Sequence, residues 1–221
     1  MSQGKTHAYR LHRPNDVNYD IDLGPVLLVG IYPLLSAPSS PSNEHQTDWN
    51  HKDYFTLVEE TVSFPPNVPV SDNNMINGKG VYDCSLVLDG TACTNLAGLS
   101  KFRFTPGKTH RLRIINAGAD GVQKFTIDGH KMTVFANDFV PVEPYETNVV
   151  TLGIGQRTDV LVTAKGDEDS AIWMRSILSE PCGLGRQPVA LAAVYYPEAN
   201  TSSTPDSVQT EFSETLCGNV S

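Results

Sequence analysis

Apolar and polar residues alternate in short runs along most of this 221-residue chain. Alternation with a period of two is typical of a β-strand with one buried face. Gly, Pro, Asn and Asp, which favour turns, separate the runs at short intervals. The pattern predicts strands at residues 18–28, 54–62, 101–104, 110–116, 124–127, 132–136, 147–152, 158–163, 171–177 and 189–196.

The spacing of these strands predicts a single all-β domain, a Greek-key β-sandwich or barrel that covers residues 15–197. Asn77-Gly78 and Asp128-Gly129 predict tight turns. No segment shows the spacing of a long amphipathic helix. Residues 1–14 show no periodicity and predict a flexible lead-in, and the polar residues 198–221 predict an extended tail.

The net charge of the chain limits the classes of partner that it is expected to bind. Sixteen Lys and Arg residues against 25 Asp and Glu residues give a net charge of −9. This balance argues against nucleic acid or an anionic membrane as a partner. No apolar run approaches the ~20 residues that a membrane helix needs, and the polar first residues show no export signal in the chain as written.

Four cysteines occur without a Cys-x-x-Cys motif, which argues against a zinc or redox site. Their even number permits two disulfides in an oxidising compartment. We expect Cys84 to pair with Cys93 and Cys182 with Cys217, each pair closing a loop between strands; the alternative is four free buried thiols. Acceptor sequons for glycosylation at Asn200 and Asn219 also favour a secreted glycoprotein.

Five short motifs are each weak alone but specific when they occur in this order. They are Tyr19-Asp20-Ile21-Asp22-Leu23-Gly24-Pro25, Asp48-Trp49-Asn50-His51, Ser71-Asp72-Asn73 leading to Ile76-Asn77-Gly78, Arg111-Leu112-Arg113-Ile114-Ile115-Asn116, and Gly155-Gln156-Arg157-Thr158-Asp159-Val160. Together they resemble the middle (second) cupredoxin domain, also called plastocyanin-like, of fungal laccases and related multicopper oxidases, and the resemblance covers residues 15–218. It implies a cupredoxin-type fold and an extracellular parent enzyme that oxidises phenols and reduces dioxygen.

Copper is the cofactor that the resemblance implies for the parent enzyme. A type 1 copper site needs a Cys thiolate and two His ligands, and the family's other sites use His-x-His and His-Cys-His motifs. Neither motif occurs here, and the resemblance assigns both to the first and third cupredoxin domains, which would be this domain's partners. We therefore expect no copper on this chain alone and no catalysis without those partners. The six histidines are His7, His12, His45, His51, His110 and His130.

The resemblance also implies which residues meet the phenol. An acidic residue at the position of Asp120, just after the Arg-Leu-Arg-Ile-x-Asn strand, lines the family's pocket. Loss of an electron makes a phenol hydroxyl strongly acidic, so a nearby carboxylate with a reference pKa of ~3.9 can accept its proton. From the residues alone, Asp120 fits better as a turn residue flanked by small residues and Gly; the pocket role comes from the resemblance. The resemblance places Asn67, Val68, Pro69 and Pro181 at the pocket wall.

Residues 29–46 depart from the family, which runs almost directly from the Gly-Pro-Val-Leu-Leu strand into the Asp-Trp-x-His motif. They are rich in Pro and Ser and predict a disordered insert. The insert begins with Val29, whose codon starts with GT, and ends with Gln46, for which one codon is CAG. These are the termini of an intron, so we interpret residues 29–46 as a retained intron that is translated in frame; a true loop insertion is the alternative. Mature messenger RNA that still contains the codons of residues 29–46 would contradict the intron.

The resemblance implies a fragment of a laccase-like enzyme, because the copper motifs of both neighbouring domains are missing. A different class of function, a non-catalytic β-sandwich that binds a protein or carbohydrate, is the alternative. The sequence leaves the choice of phenol open.

Overall fold

The computed structural model describes residues 17–29, 54–63, 70–87, 93, 98–119, 121–179 and 182–212. Within these ranges the chain is mostly β-structure, with one α-helix and one short 3-10 helix. The elements are β1 (Ile21–Val29), α1 (Tyr54–Ser63), β2 (Ser71–Asn73), β3 (Met75–Ile76), the 3-10 helix (Cys84–Leu86), β4 (Ser100–Arg103), β5 (Thr109–Asn116), β6 (Gln123–Ile127), β7 (Met132–Asn137), β8 (Val140–Thr147), β9 (Val150–Leu152), β10 (Arg157–Thr163), β11 (Ala171–Leu178), β12 (Gly185–Gln187) and β13 (Val189–Tyr195).

Two main sheets form the sandwich. One has the strand order β3-β1-β5-β10-β7-β8, the other has β4-β13-β11-β6-β9, and β12 pairs with β2 in a small third sheet. Most pairs are antiparallel, but β1–β5, β13–β4 and β12–β2 are parallel. The chain crosses repeatedly between the main sheets, as in Greek-key sandwiches. The predicted all-β sandwich is therefore confirmed.

The core lies between the two main sheets. Strand β5 shows why this sequence forms it, because its residues alternate between half-buried and buried positions along the whole strand. Leu112 and Ile114 point inward from β5 and have no exposed surface, as do Phe125 and Ile127 of β6. Removal of this apolar surface from water is the main force that holds the two sheets together.

The prediction of a strand at residues 54–62 is wrong, because this segment forms helix α1 (Tyr54–Ser63). Phe55, Val58 and Val62 are spaced three and four residues apart, which is a helical period that a search for alternation overlooks. All three side chains are exposed, Phe55 by 76%. Thr61 bonds back to the carbonyl of Leu57 at 2.7 Å, one turn earlier.

The strand predicted at 147–152 is two strands in the structure. Strand β8 ends at Thr147 and β9 begins at Val150. The Thr147 hydroxyl donates to the carbonyl of Val149 and accepts from its N–H, which makes a turn between them. The rest of β8 was not predicted, because Pro141 and Pro144 lack N–H donors and are rare within strands.

The two predicted turns are confirmed. Asn77 and Gly78 have φ values of 52° and 69°, and Ile76 and Lys79 exchange hydrogen bonds across them. This is the geometry of a two-residue hairpin. At the second turn, Gly129 has a φ of 68° and the His130 N–H donates to the Ile127 carbonyl.

The predicted disulfide between Cys84 and Cys93 is confirmed, with a Cα–Cα distance of 5.6 Å. Cys182 is also disulfide-bonded, and its predicted partner, Cys217, lies outside the described residues. The lead-in, most of the predicted insert and Asn219 lie outside them too; Val29 is the last residue of β1. Among the described helices, none is long and apolar enough to cross a membrane.

Candidate functional site

The predicted pocket residues Asn67, Val68, Pro69, Asp120 and Pro181 all lie outside the described residues. Their described neighbours, however, meet at one end of the sandwich. We call this the loop end and define it by Ser71, Asn116, Gly121, Ser179 and Leu184.

The segment that contains Asp120 is bonded to the segment that contains Pro181. The Val122 N–H donates to the Cys182 carbonyl at 3.2 Å, and the Ser179 N–H donates to the Val122 carbonyl at 2.8 Å. The Cys182 N–H donates to the Ser179 carbonyl at 2.8 Å. These main-chain bonds hold Ser179 and Cys182, which lie on either side of Pro181, against Val122, which lies two positions after Asp120.

Two glycines allow these segments to touch. Gly121 has a φ of +84°, and a Cβ at this residue would lie 2.3 Å from Leu178 Cδ1 and 3.0 Å from Gly183 Cα. A Cβ on Gly183 would lie 2.6 Å from Gly121 Cα. Because a Cβ does not fit at either position, the backbones pack directly against each other.

The described residues that follow Asn67, Val68 and Pro69 reach the same place. Two residues after Pro69, the Ser71 N–H and hydroxyl both donate to the Leu184 carbonyl, at 2.9 and 3.0 Å. Parallel pairing of Ser71 with Gly185 continues this contact into β2 and β12. Described residues that follow or flank the three predicted segments therefore meet at the loop end.

Asn116 braces the turn that follows β5. This fully buried asparagine accepts from the Gly118 N–H through Oδ1 at 3.0 Å. Its Nδ2 donates to the carbonyls of Gly121 at 3.2 Å and of Leu152 at 3.0 Å. One amide thus holds the chain on both sides of Asp120 and ties it to β9 of the opposite sheet.

A second buried amide network supports the loop end. Asn74 Nδ2 bonds to Gln123 Oε1 at 2.9 Å and to the carbonyls of Ser176 and Pro188 at 3.1 and 2.9 Å. Gln123 returns a bond to Asn74 Oδ1 at 3.1 Å. The network joins β6, β11 and Pro188, the residue just before β13, so the strands that carry the loops are fixed relative to each other.

Sequence reasoning did not identify either amide. An asparagine that ends a strand just before the small residues Ala117, Gly118 and Ala119 is the signal that favours a side-chain brace of this kind. Asn74 gives no comparable signal, because its partners are up to 114 residues away.

The described histidines do not fit a copper site. The Nε2 atom of His110 accepts from the Thr105 N–H, and the ring stacks on Phe104 with centroids 4.5 Å apart. The Nδ1–H of His130 donates to the Asp128 carbonyl, while its Nε2 contacts the Tyr196 hydroxyl at 3.1 Å. Within the described ranges, no three His, Cys, Asp or Glu residues cluster so as to hold a metal ion.

Burial determines how these two histidines titrate. Desolvation lowers the pKa of both His110 and His130 from the ordinary value, because a buried ring favours its neutral form. We call the region around Phe104, His110, His130 and Tyr196 the histidine end. It lies opposite the loop end, since His110 is near the start of β5 and Asn116 is its last residue.

The two main sheets form a β-sandwich, and the match of this sandwich to solved laccase structures places it in the cupredoxin-like class. A family model for multicopper oxidases matches residues 45–199. The chain belongs to the multicopper oxidase family, whose members use copper.

Two of the curated relatives that match come from fungi. The chain is 37% identical to oxidoreductase OpS5 of Beauveria bassiana, over 78% of this chain and 26% of the relative. It is 32% identical to laccase-2 of Botryotinia fuckeliana, over 90% of this chain and 30% of the relative. The domain is thus related to fungal laccases and oxidoreductases, and it spans about a quarter to a third of the length of these relatives.

A solved structure agrees with the fold. The laccase from Botrytis aclada superimposes with a TM-score of 0.70 and 29% identity, over 90% of this chain and 33% of that chain.

Proposed function

We propose that this chain is the middle domain of a secreted laccase-type oxidase and supplies part of the wall of its phenol pocket. The convergence of the described neighbours of Asp120, Asn67–Pro69 and Pro181 at the loop end carries this proposal. Those residues lie far apart in the sequence, and a shared pocket requires their segments to meet. The mutual contacts of Ser71, Leu184, Cys182 and Val122 supply that meeting point.

In this proposal, Asp120 accepts the proton of the phenol. The phenol O–H bond breaks, the proton passes to the carboxylate of Asp120, and one electron leaves for an oxidant held by the rest of the enzyme. A phenoxyl radical remains. The carboxylate is ionised at mildly acidic pH because its reference pKa is ~3.9, and Asn67, Val68, Pro69 and Pro181 form the surrounding wall.

Asn116 is proposed as a positioning residue for Asp120. Its three side-chain bonds hold the carbonyl of Gly121, the N–H of Gly118 and the carbonyl of Leu152. A group that transfers a proton must stay within hydrogen-bond reach of its partner. A buried amide that fixes the main chain on both sides supplies this constraint.

The remaining parts of the enzyme are proposed from the family. Copper is held by the first and third cupredoxin domains in this proposal, because the chain has no His-x-His or His-Cys-His motif. The disulfide between Cys84 and Cys93 supports passage through an oxidising compartment and an extracellular location. By itself the chain is expected to be catalytically silent.

The test uses a chimera in which this chain replaces the matching third of the Botrytis aclada laccase. Asp120→Asn removes the proton acceptor, so kcat/KM for a methoxyphenol is expected to fall about 100-fold, at the low end of general-base effects. Ferrocyanide gives up an electron without a proton, so its oxidation should be unchanged. Steady-state kinetics with both donors measure the difference.

Two variants control this test. Asp120→Glu keeps a carboxylate and should restore part of the phenol activity. Asp169→Asn removes an exposed carboxylate far from the loop end and should change neither rate. Equal losses with phenol and ferrocyanide, or no loss with either, would contradict the role of Asp120.

A further inference from the structure

The described part of the chain contains one complete acceptor sequon for N-linked oligosaccharide, Asn200-Thr201-Ser202. Such a modification needs an asparagine at the surface, because the attached sugar is bulky and polar. Asn200 is exposed and lies just after β13. The surface position meets the first requirement.

The local turn brings the two essential residues of the sequon together. The Ser202 N–H donates to Asn200 Oδ1 at 2.9 Å. The N–H and hydroxyl of Ser203 both donate to the Asn200 carbonyl, at 3.2 and 2.8 Å. Because all three bonds lie within four residues, this turn can form before the rest of the domain has folded.

The turn leaves the reactive atom of Asn200 accessible. Oδ1 is occupied as an acceptor, while no described residue accepts a hydrogen bond from Nδ2. Other contacts fix the turn through its main chain. The Tyr195 hydroxyl donates to the Ser203 carbonyl and Lys101 Nζ donates to the Thr201 carbonyl, both at 2.7 Å.

We infer that Asn200 is an N-glycosylation site. The donor class is an oligosaccharide linked to a lipid through pyrophosphate. A bond forms between Asn200 Nδ2 and the anomeric carbon of the sugar, and the bond from that carbon to the pyrophosphate breaks. The amide loses one proton and the lipid pyrophosphate departs, with no change in oxidation state. The inference rests only on the secretion part of the proposed function.

The experiment expresses the full chain in yeast behind a secretion leader, in an Asn219→Gln background. An Asn-Gly-Thr tag at the amino end reports that the chain has entered the secretory pathway. Glycopeptide mass spectrometry of the medium and the cell fraction should show an oligosaccharide on Asn200, and endoglycosidase treatment should remove the added mass.

Two neighbouring serines provide the matched control. Ser202→Ala destroys the sequon and should abolish the modification of Asn200. Ser203→Ala leaves the sequon intact and should preserve it. A glycosylated tag with an unmodified Asn200 would overturn the inference. The result is independent of the phenol assay, because attachment is read from the mass of the chain and not from oxidation.

Discussion

The two ends of the sandwich close by different chemistry, although the same strands run between them. At the loop end, buried amides such as Asn116 and Asn74 bond to main-chain carbonyls. At the histidine end, the ring of Phe104 stacks on His110 and meets Tyr196 edge-on, with centroids 4.5 and 6.1 Å apart. Amides fix the path of a backbone, whereas rings fill volume.

This difference fits the proposed function, in which the loop end forms part of the phenol pocket and the histidine end does not. Loops that present reactive side chains need a main chain held in one geometry, and directional hydrogen bonds to fixed carbonyls provide it. The opposite end has only to exclude water, and aromatic packing does so with large buried surfaces. We therefore expect changes at the loop end to affect function first, and changes at the histidine end to affect stability and its pH dependence.

The largest expected effect comes from Gly121→Ala at the loop end. The new Cβ would meet Leu178 Cδ1 at 2.3 Å, at a φ of +84°. Positive φ and overpacking together should lower the free energy of unfolding by about 2–5 kcal/mol. Urea denaturation of the chain, followed by tryptophan fluorescence, measures the loss.

Gly107→Ala near the histidine end is the matched control. This glycine also has a positive φ, +71°, but nothing lies within 4 Å of an added Cβ. The loss should therefore be about 1–2 kcal/mol, from backbone strain alone. Equal losses for both variants would show that the contact between Gly121 and Gly183 is not tightly packed.

An intermediate effect is expected from Asn116→Ala. It leaves the Gly118 N–H and the carbonyls of Gly121 and Leu152 without their partner. Loss of these buried bonds should lower the free energy of unfolding by about 2–4 kcal/mol. Hydrogen exchange at the Gly118 amide should accelerate more than exchange in β11, because the brace acts on the turn.

Asn137→Ala is the matched control for Asn116→Ala. The side chain of Asn137 accepts a hydrogen bond from the Thr158 hydroxyl at 2.9 Å. Its cost should stay within about 0.5–1.5 kcal/mol, with no change at Gly118. Unchanged exchange at Gly118 in the Asn116 variant would remove the basis for its positioning role.

The smallest effect is a pH dependence that belongs to the histidine end. Burial lowers the pKa of His110 and His130 in the folded chain, while both would titrate near pH 6.5 when unfolded. Above that pH both are neutral in either state. As the pH falls below it, the unfolded chain binds more protons than the folded chain, so the free energy of unfolding should fall.

His110→Gln tests this slope. Glutamine can still accept from the Thr105 N–H, as His110 Nε2 does at 3.1 Å, but it does not titrate. Denaturation between pH 6.5 and 5 should therefore show a shallower slope than in the parent chain, while the loop end is unaffected. An identical slope in both chains would mean that His110 is protonated as readily in the folded state as in the unfolded one.

The sequence by itself determined most of the sandwich. Strands such as β5 and β10 were predicted to within a residue or two, because one face of each is buried and the period of two is visible locally. The Asn77-Gly78 turn and the pairing of Cys84 with Cys93 were also predicted correctly. These features depend on residues that are close in sequence.

Helix α1 was mistaken for a strand, although the helical spacing of Phe55, Val58 and Val62 is present in the sequence. Only the tertiary structure decided the rest. The strands β2 and β12 are three residues each and form only as partners of each other, so no local pattern reveals them. Three further features depend on residues that only folding brings together, and the order of residues in the sequence does not show which of them will be close in space. They are the side-chain bonds of Asn116, the contact of Gly121 with Gly183, and the burial of His110 and His130.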